Sequence, residues 1–268
     1  MITAGVVGNP IGHSLSPAIH NAWITAAGIK AEYHPFLAPL EGFAEFVSTL
    51  WARGVRGVNV TIPFKEQALE LADEASELAR LAGAANLLVF EGGKVRADNT
   101  DGPGLLFALK NRAGFDPKSG PAVILGAGGA ARGAAAALKL AGSPQVRIVN
   151  RTPGRARQLA ASLGEGVVAM ETEAAFKAAA LIVNATSLGL GGGDGPRTAF
   201  DLAPAAVVMD MVYKPLITRF LDRAAAAGHP TVDGLEMLIG QARPSFEAFF
   251  GIAPPEIDVR RVALEAMA

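Results

Sequence analysis

The chemically most pointed stretch of the chain is Gly126-Ala127-Gly128-Gly129-Ala130-Ala131, which follows the apolar run Val123-Ile124-Leu125 without a gap. A strand that ends in a G-x-G-x-x-A turn and opens a helix gathers free backbone N–H groups and the positive end of a helix dipole at one point. That arrangement holds a pyrophosphate. Gly126 permits the tight turn, Gly128 lets the backbone approach the anion, and Ala131 keeps the helix close to the strand. The next strand ends Asn150-Arg151-Thr152, with Arg155 close behind. A carboxylate there would accept hydrogen bonds from the ribose of NAD and would repel a 2′-phosphate. The guanidinium groups of Arg151 and Arg155, with the Thr152 hydroxyl, fit the phosphate instead, so NADP is the expected cofactor. The plainer reading is a structural glycine turn beside solvated arginines; the strand–turn–helix context favours the dinucleotide.

Three other segments carry polar groups where strands should end: Ser14-Leu15-Ser16-Pro17, Asn59-Val60-Thr61-Ile62-Pro63-Phe64-Lys65, and Asn99-Thr100-Asp101-Gly102. Ligands of open α/β sheets bind beyond the carboxyl ends of the strands, so these segments are expected to converge on a cleft. The elements that must position them can be read from periodicity. Strands are expected over 4–7, 31–35 and 57–61, and a hairpin over 87–90 and 94–97 around Gly92-Gly93. A helix should open at Ser16 as N-cap with Pro17 in its first turn and end at Gly28. Others are expected over 41–53, over 63–81 as one helix, and from Asp101 to about 111 as a connection between domains. After the glycine turn, strands over 146–150, 167–169, 181–184 and 207–212 alternate with helices, and helices over 235–250 and 258–266 close the chain. Alternation of this kind implies parallel sheets covered by helices, an α/β fold.

The whole-chain properties agree. A length of 268 residues suits two hydrophobic cores better than one. A net charge of −1 supplies no basic field, which argues against nucleic acid or an anionic membrane as partner. There is no cysteine, so disulfides, thiolate metal sites and cysteine nucleophiles are excluded. The four histidines show no metal-ligand spacing, so no metal is expected. His13 is placed to shape the loop beside Ser14, and His20, His34 and His229 read as structural or surface residues. No basic leader and no long apolar run is present, so a cytoplasmic protein with no membrane span is expected.

Taken together with Gly83-Ala84-Ala85-Asn86, Asp210-Met211-Val212-Tyr213 and Asp233-Gly234-Leu235-Glu236-Met237 up to Gln241, these motifs resemble the shikimate dehydrogenase family, in order and over essentially the whole chain. The resemblance implies reversible reduction of 3-dehydroshikimate to shikimate with NADPH, in aromatic amino acid and chorismate biosynthesis. It implies two domains: an N-terminal α/β substrate-binding and catalytic domain, residues 1–103, completed by C-terminal helices, residues 236–268, and an inserted Rossmann-type NADP domain, residues 104–235. A small-molecule substrate and a monomer or homodimer are expected.

Residue types carry the mechanism. A ketone that accepts hydride needs charge stabilisation at its oxygen and then a proton. Lys65 is the candidate donor, in a helix first turn where the dipole disfavours an ammonium by about 0.3–1 kcal/mol. Asp101 can hold that lysine and accept a substrate hydroxyl. By resemblance, Ser14 and Ser16 bind the substrate carboxylate with Tyr213 nearby, and Asn59, Thr61, Asn86 and Gln241 read the ring hydroxyls. Gly126, Ala127, Gly128, Gly129, Ala130, Asn150, Arg151, Thr152 and Arg155 hold the dinucleotide, Thr186, Met211, Gly234 and Met237 line its nicotinamide side, and Glu77 matches a cofactor-linked position. The plainer alternatives stand beside these: a solvated lysine, Asp101 or Ser16 as helix caps, Thr61 and Asn86 as turn residues, Glu77 as a surface residue. Leu87 departs from the family, which commonly has Thr there. A quinate/shikimate dehydrogenase, or a paralogue acting on a related hydroxy acid, is the nearest rival, and a non-catalytic NADP-binding regulator is the rival from another class. Retention of both Lys65 and Asp101 speaks against the regulator.

Overall fold

The structure, a computed structural model, describes residues 1–196 and 205–267. The chain divides into two compact units: Met1–Asp101 with Leu238–Ala268, and Gly102–Met237.

In the first unit the elements run β1 (Ile2–Gly8), α1 (Ser16–Ala27), β2 (Ala31–Leu37), α2 (Phe43–Ala52), β3 (Val55–Val60), α3 (Lys65–Glu70), β4 (Glu74–Ala75), α4 (Glu77–Ala82), β5 (Leu87–Glu91) and β6 (Lys94–Asp98). They form a six-stranded sheet in the order β2-β1-β3-β5-β6-β4. Strands β1, β2 and β3 are parallel, as alternation with helices demands. The hairpin expected over 87–90 and 94–97 is present: β5 runs antiparallel to β6, and it runs antiparallel to β3 as well. The cause is the two-residue turn Gly92-Gly93, with φ of 60° and 78°; a connection that short can only reverse the chain.

Two local expectations are also corrected. The segment 63–81 is not one helix but the short helices α3 and α4 with β4 between them. Asp73 interrupts the helix: its N–H donates to the Val95 carbonyl (2.9 Å) and its carboxylate accepts from the Val95 N–H (2.7 Å), which pins the chain to β6. Ser76 then caps α4 by accepting from the Ala79 N–H. Ser16 is not the N-cap of α1 but its first helical residue; Leu15 occupies the cap position, and the Ser14 hydroxyl oxygen accepts from the Ser16 N–H at 3.3 Å. Gly28 does end the helix, in the left-handed conformation at φ 64°.

The core of this unit on one side of the sheet is built from Val7, Phe43, Val47, Leu50, Val58, Val60, Phe64, Leu88 and Phe90. The Phe43 and Phe64 rings stack at 4.6 Å. Trp23 of α1 lies edge-on to Phe246 at 5.6 Å.

The second unit runs through α5 (Asp101–Ala113), β7 (Ala122–Leu125), α6 (Gly129–Leu140), β8 (Val146–Val149), α7 (Pro153–Leu163), β9 (Val167–Ala169), α8 (Thr172–Phe176), β10 (Leu181–Asn184), β11 (Val207–Asp210), α9 (Arg219–Ala226) and β12 (Thr231–Val232). The long helix α10 (Gly234–Phe250) opens in this unit and continues into the last segment of the first unit, where α11 (Val259–Met267) packs on α1. The sheet order is β12-β11-β10-β7-β8-β9 and every pair is parallel. This is the doubly wound order of a dinucleotide-binding fold, and its switch point lies between β7 and β10. Strands β7, β10 and β11 are buried along their whole lengths, which is why they read as unbroken apolar runs rather than as alternation.

Candidate active site

Lys65 opens α3, one residue after Phe64, whose fully buried ring is clamped on Phe43 and so fixes where the lysine starts. Its Nζ lies 2.5 Å from Oδ2 of Asp101. The side chains are 30% and 25% exposed, so the pair is shielded enough to interact strongly and open enough to meet a substrate. Asp101 spends its second oxygen on the Asn86 amide, which donates to Oδ1 at 2.9 Å. The Asp101 backbone N–H is taken by the Asn99 carboxamide oxygen at 3.1 Å. Asn99 therefore serves the helix start, and the Asp101 carboxylate is free to face the lysine.

Behind the pair stands a buried polar layer. The Asn86 Oδ1 accepts from the Thr100 N–H (2.7 Å), and its Nδ2 is shared among Asp101, the Thr100 hydroxyl (3.0 Å) and Gln241 Oε1 (3.3 Å). Gln241, on α10, also accepts from the Thr100 hydroxyl at 3.2 Å and donates through Nε2 to the Leu238 carbonyl at 3.1 Å. Asn59, near the end of β3, is likewise committed: Oδ1 accepts from the Tyr33 hydroxyl at 2.8 Å, and Nδ2 donates to the Asn86 carbonyl (3.1 Å) and the Ser245 hydroxyl (2.8 Å). The hydroxyl of the half-buried Thr61 makes no side-chain bond among those described, and its backbone is held by the Val7 carbonyl at 2.9 Å. Of the residues expected to serve a substrate, Ser14, Ser16, Asn59, Thr61, Lys65, Asn86, Asp101 and Gln241 all belong to this unit.

Tyr33 and Ser245 carry no motif and were not expected. Each had a weaker signal. A tyrosine in the middle of a buried strand must place its hydroxyl somewhere. A serine four residues after Gln241 on a helix shares its face.

In the second unit the glycine turn has the geometry an anion needs. Gly126 sits at φ 117°, a conformation that other residues rarely adopt, and an added Cβ would come within 3.1 Å of the Thr186 methyl. Thr186 is thus held against the turn at the sheet's switch point. Gly128 is the N-cap of α6 without a side-chain cap, so the first-turn N–H groups are left for a ligand. The Asn150 amide donates to the Thr152 carbonyl at 3.0 Å and ties the turn after β8. Arg151 and Arg155 are exposed, and neither makes an ion pair among the described residues.

A second buried network supports the far side of this turn. The Asn184 Oδ1 accepts from the Thr186 N–H and hydroxyl (3.1 and 2.7 Å), and its Nδ2 donates to Asp210 at 2.9 Å. Asp210, fully buried, also accepts from the Thr218 hydroxyl (2.6 Å) and the Val212 N–H (3.0 Å). Burial raises its pKa above the usual carboxylate value, against the pull of these three donors. Met211 bonds the Asn184 carbonyl through its N–H at 3.1 Å. Gly234 must be glycine: a Cβ would lie 2.4 Å from the Met211 carbonyl oxygen. The structure therefore brings Thr186, Met211 and Gly234 into one supported cluster, with Met237 buried in the first turn of α10. Tyr213, its phenol pushed up by burial, belongs to this second unit, and Glu77 is exposed at the start of α4 in the first. Neither is placed by its own unit beside the residues it was expected to join. Among the described residues no group of side chains could hold a metal ion, and no helix is long and apolar enough to cross a membrane.

A doubly wound sheet with a glycine turn at its switch point, and a separate unit presenting a lysine–aspartate pair over a layer of carboxamides, define a dinucleotide-dependent α/β oxidoreductase. Family models agree along the chain: the shikimate dehydrogenase substrate binding domain matches residues 6–88, shikimate / quinate 5-dehydrogenase matches 109–188, and the shikimate 5′-dehydrogenase C-terminal domain matches 234–264. The chain belongs to the shikimate dehydrogenase family. It is 61% identical to the shikimate dehydrogenase (NADP(+)) of Caulobacter vibrioides strain NA1000 / CB15N, over 99% of this chain and 96% of that protein. The crystal structure of shikimate 5-dehydrogenase from Thermus thermophilus in complex with NADP(H) and shikimate superposes with a TM-score of 0.90 at 40% identity, covering 99% of this chain and 100% of the other. The ligand-free 5-ketofructose reductase of Gluconobacter sp. strain CHM43 gives a TM-score of 0.88 at 33% identity, covering 99% and 97%.

Proposed function

We propose that this chain catalyses the reversible NADP-dependent reduction of 3-dehydroshikimate to shikimate, in the biosynthesis of chorismate and the aromatic amino acids. The observation that carries the proposal is the 2.5 Å Lys65–Asp101 pair set over the Asn86–Thr100–Gln241 layer. In this reading residues 1–103 with 236–268 are the substrate-binding and catalytic domain, and 104–235 hold the cofactor.

NADPH, when bound, supplies the hydride. Gly126 to Ala130 fit its pyrophosphate, and Arg151, Thr152, Arg155 and Asn150 fit the ribose 2′-phosphate, since no carboxylate closes β8. Thr186, Met211, Gly234 and Met237 shape the nicotinamide side. Lys65 stabilises the negative charge that grows on the ketone oxygen and gives up the proton that completes the alcohol. Asp101 orients the ammonium and accepts a hydrogen bond from a ring hydroxyl through its remaining lone pairs. Ser14 and Ser16 donate to the substrate carboxylate, and Thr61 and the second N–H of Gln241 meet the ring hydroxyls. Tyr213 and Glu77 complete the substrate and cofactor sets by family resemblance. The enzyme is cytoplasmic in this proposal, where a reduced NADP pool exists, and acts as a monomer or homodimer.

Steady-state assays with shikimate and quinate, each paired with NADP+ and NAD+, test the assignment. Shikimate with NADP+ should give the highest kcat/KM. Preference for quinate would move the chain to the quinate branch of the family, and no turnover of shikimate with either cofactor would refute the proposal.

A further inference from the structure

Tyr33 lies on β2, away from every motif in the chain, yet it is 1% exposed and its hydroxyl donates to Asn59 Oδ1 at 2.8 Å. The ring cannot drift. The His20 imidazole stacks on it at 4.1 Å with the planes 2° apart, and Phe249 packs at 6.2 Å. Burial pushes the phenol well above its usual pKa, so Tyr33 keeps its proton and remains a donor.

The bonding of Asn59 shows what this donor does. An amide flipped end for end would turn N–H groups toward Tyr33 and an oxygen toward the Asn86 carbonyl and Ser245. The Asn86 carbonyl can only accept, so the amide has a single orientation, which leaves Oδ1 to take the Tyr33 proton. Asn59 thereby spends both N–H groups on the protein, so it has no donor left for a ring hydroxyl. Beyond it, Ser245 lies 3.4 Å from the Thr100 hydroxyl, which reaches Gln241 and Asn86, and Asn86 holds Asp101.

We infer that Tyr33, Asn59 and Ser245 are positioning residues of one hydrogen-bonded network, which runs from the buried Tyr33 hydroxyl through Asn59 and Asn86 to the Asp101–Lys65 pair. Tyr33 anchors Asn59 without touching the substrate. The inference rests on the shikimate reading of the site, which the native protein tests independently. It reassigns Asn59 from reading a ring hydroxyl to orienting the residues that do.

Tyr33→Phe keeps the ring stack and deletes the donor. Ser245→Ala breaks the chain on the other side of Asn59. Each should raise KM for shikimate about fivefold to tenfold, as a buried acceptor or donor loses its partner. KM for NADP+ should change little, because the glycine turn, Arg151 and Arg155 lie in the other unit. Since both variants act through Asn59, the double variant should be less than additive. If the native protein turns over shikimate but Tyr33→Phe leaves its KM unchanged, or raises both KM values in proportion, the positioning role is wrong. Strict additivity would likewise overturn the shared path through Asn59. If Tyr33→Phe does not fold, the KM split in Ser245→Ala decides the matter alone.

Discussion

His20 offers a prediction whose size follows from its surroundings. It is fully buried among Trp23, Tyr33, Phe246 and Phe249, and neither ring nitrogen has a partner among the described residues. Burial lowers its pKa from 6.5 to about 3, so the folded protein keeps it neutral while the unfolded chain protonates below 6.5. Between those values the unfolded state binds more protons, and stability falls as pH falls, by at most about 1.4 kcal/mol per pH unit for one group. Taking 6.5 unfolded and about 3 folded, the loss from pH 7 to pH 5 is about 2 kcal/mol. For a protein of this size that is about 4–8 °C in Tm. Replacing His20 by Phe, which keeps a flat ring, should remove this term. Tm is measured at pH 7 and pH 5 for both proteins, so that repacking costs and all other titrating groups cancel in the difference. The native protein should lose about 4–8 °C more than His20→Phe on acidification. Equal losses would refute the claim that this imidazole is sealed neutral behind Tyr33.

The active-site assignments make two further predictions. Lys65→Ala should lower kcat by about 10²–10⁴-fold with little change in the KM for NADP+, as read by steady-state kinetics; loss of both would show that the residue supports the fold instead. Arg151→Ala should weaken NADP+ by about tenfold or more while leaving NAD+ nearly unchanged, and an unaltered NADP+/NAD+ selectivity would remove the 2′-phosphate from its role.

The two buried networks have the same design. In the first unit, Asn59 holds the Asn86 backbone and the Asn86 carboxamide holds Asp101; in the second, Asn184 and Asp210 hold the Thr186 turn and the Met211 strand end. The groups share donors and acceptors within each network, so one wrong partner would leave several of them unmet in a low-dielectric interior. That makes the geometry of the residues in front of them specific rather than merely stable.

By itself, the sequence determined the local features that depend on short-range geometry. The turn at Gly126 follows from a residue free to adopt φ 117° between a strand and a helix, the hairpin follows from Gly92-Gly93, and the end of α1 follows from Gly28. The family motifs also named Lys65 and Asp101. Tertiary structure decided what those residues face. Asp101 meets Lys65 because Asn99 takes over the helix start, a choice between two carbonyl-type acceptors two residues apart that periodicity cannot make. The helix expected over 63–81 breaks because Asp73 finds Val95 on a strand 22 residues away. Tyr33 and Ser245 became visible only when β2 and α10 were brought to the same side chain, Asn59. Hydrogen bonds of that kind connect residues up to 186 positions apart. A chain read in order shows that such groups must be satisfied, and only the packed fold shows by whom.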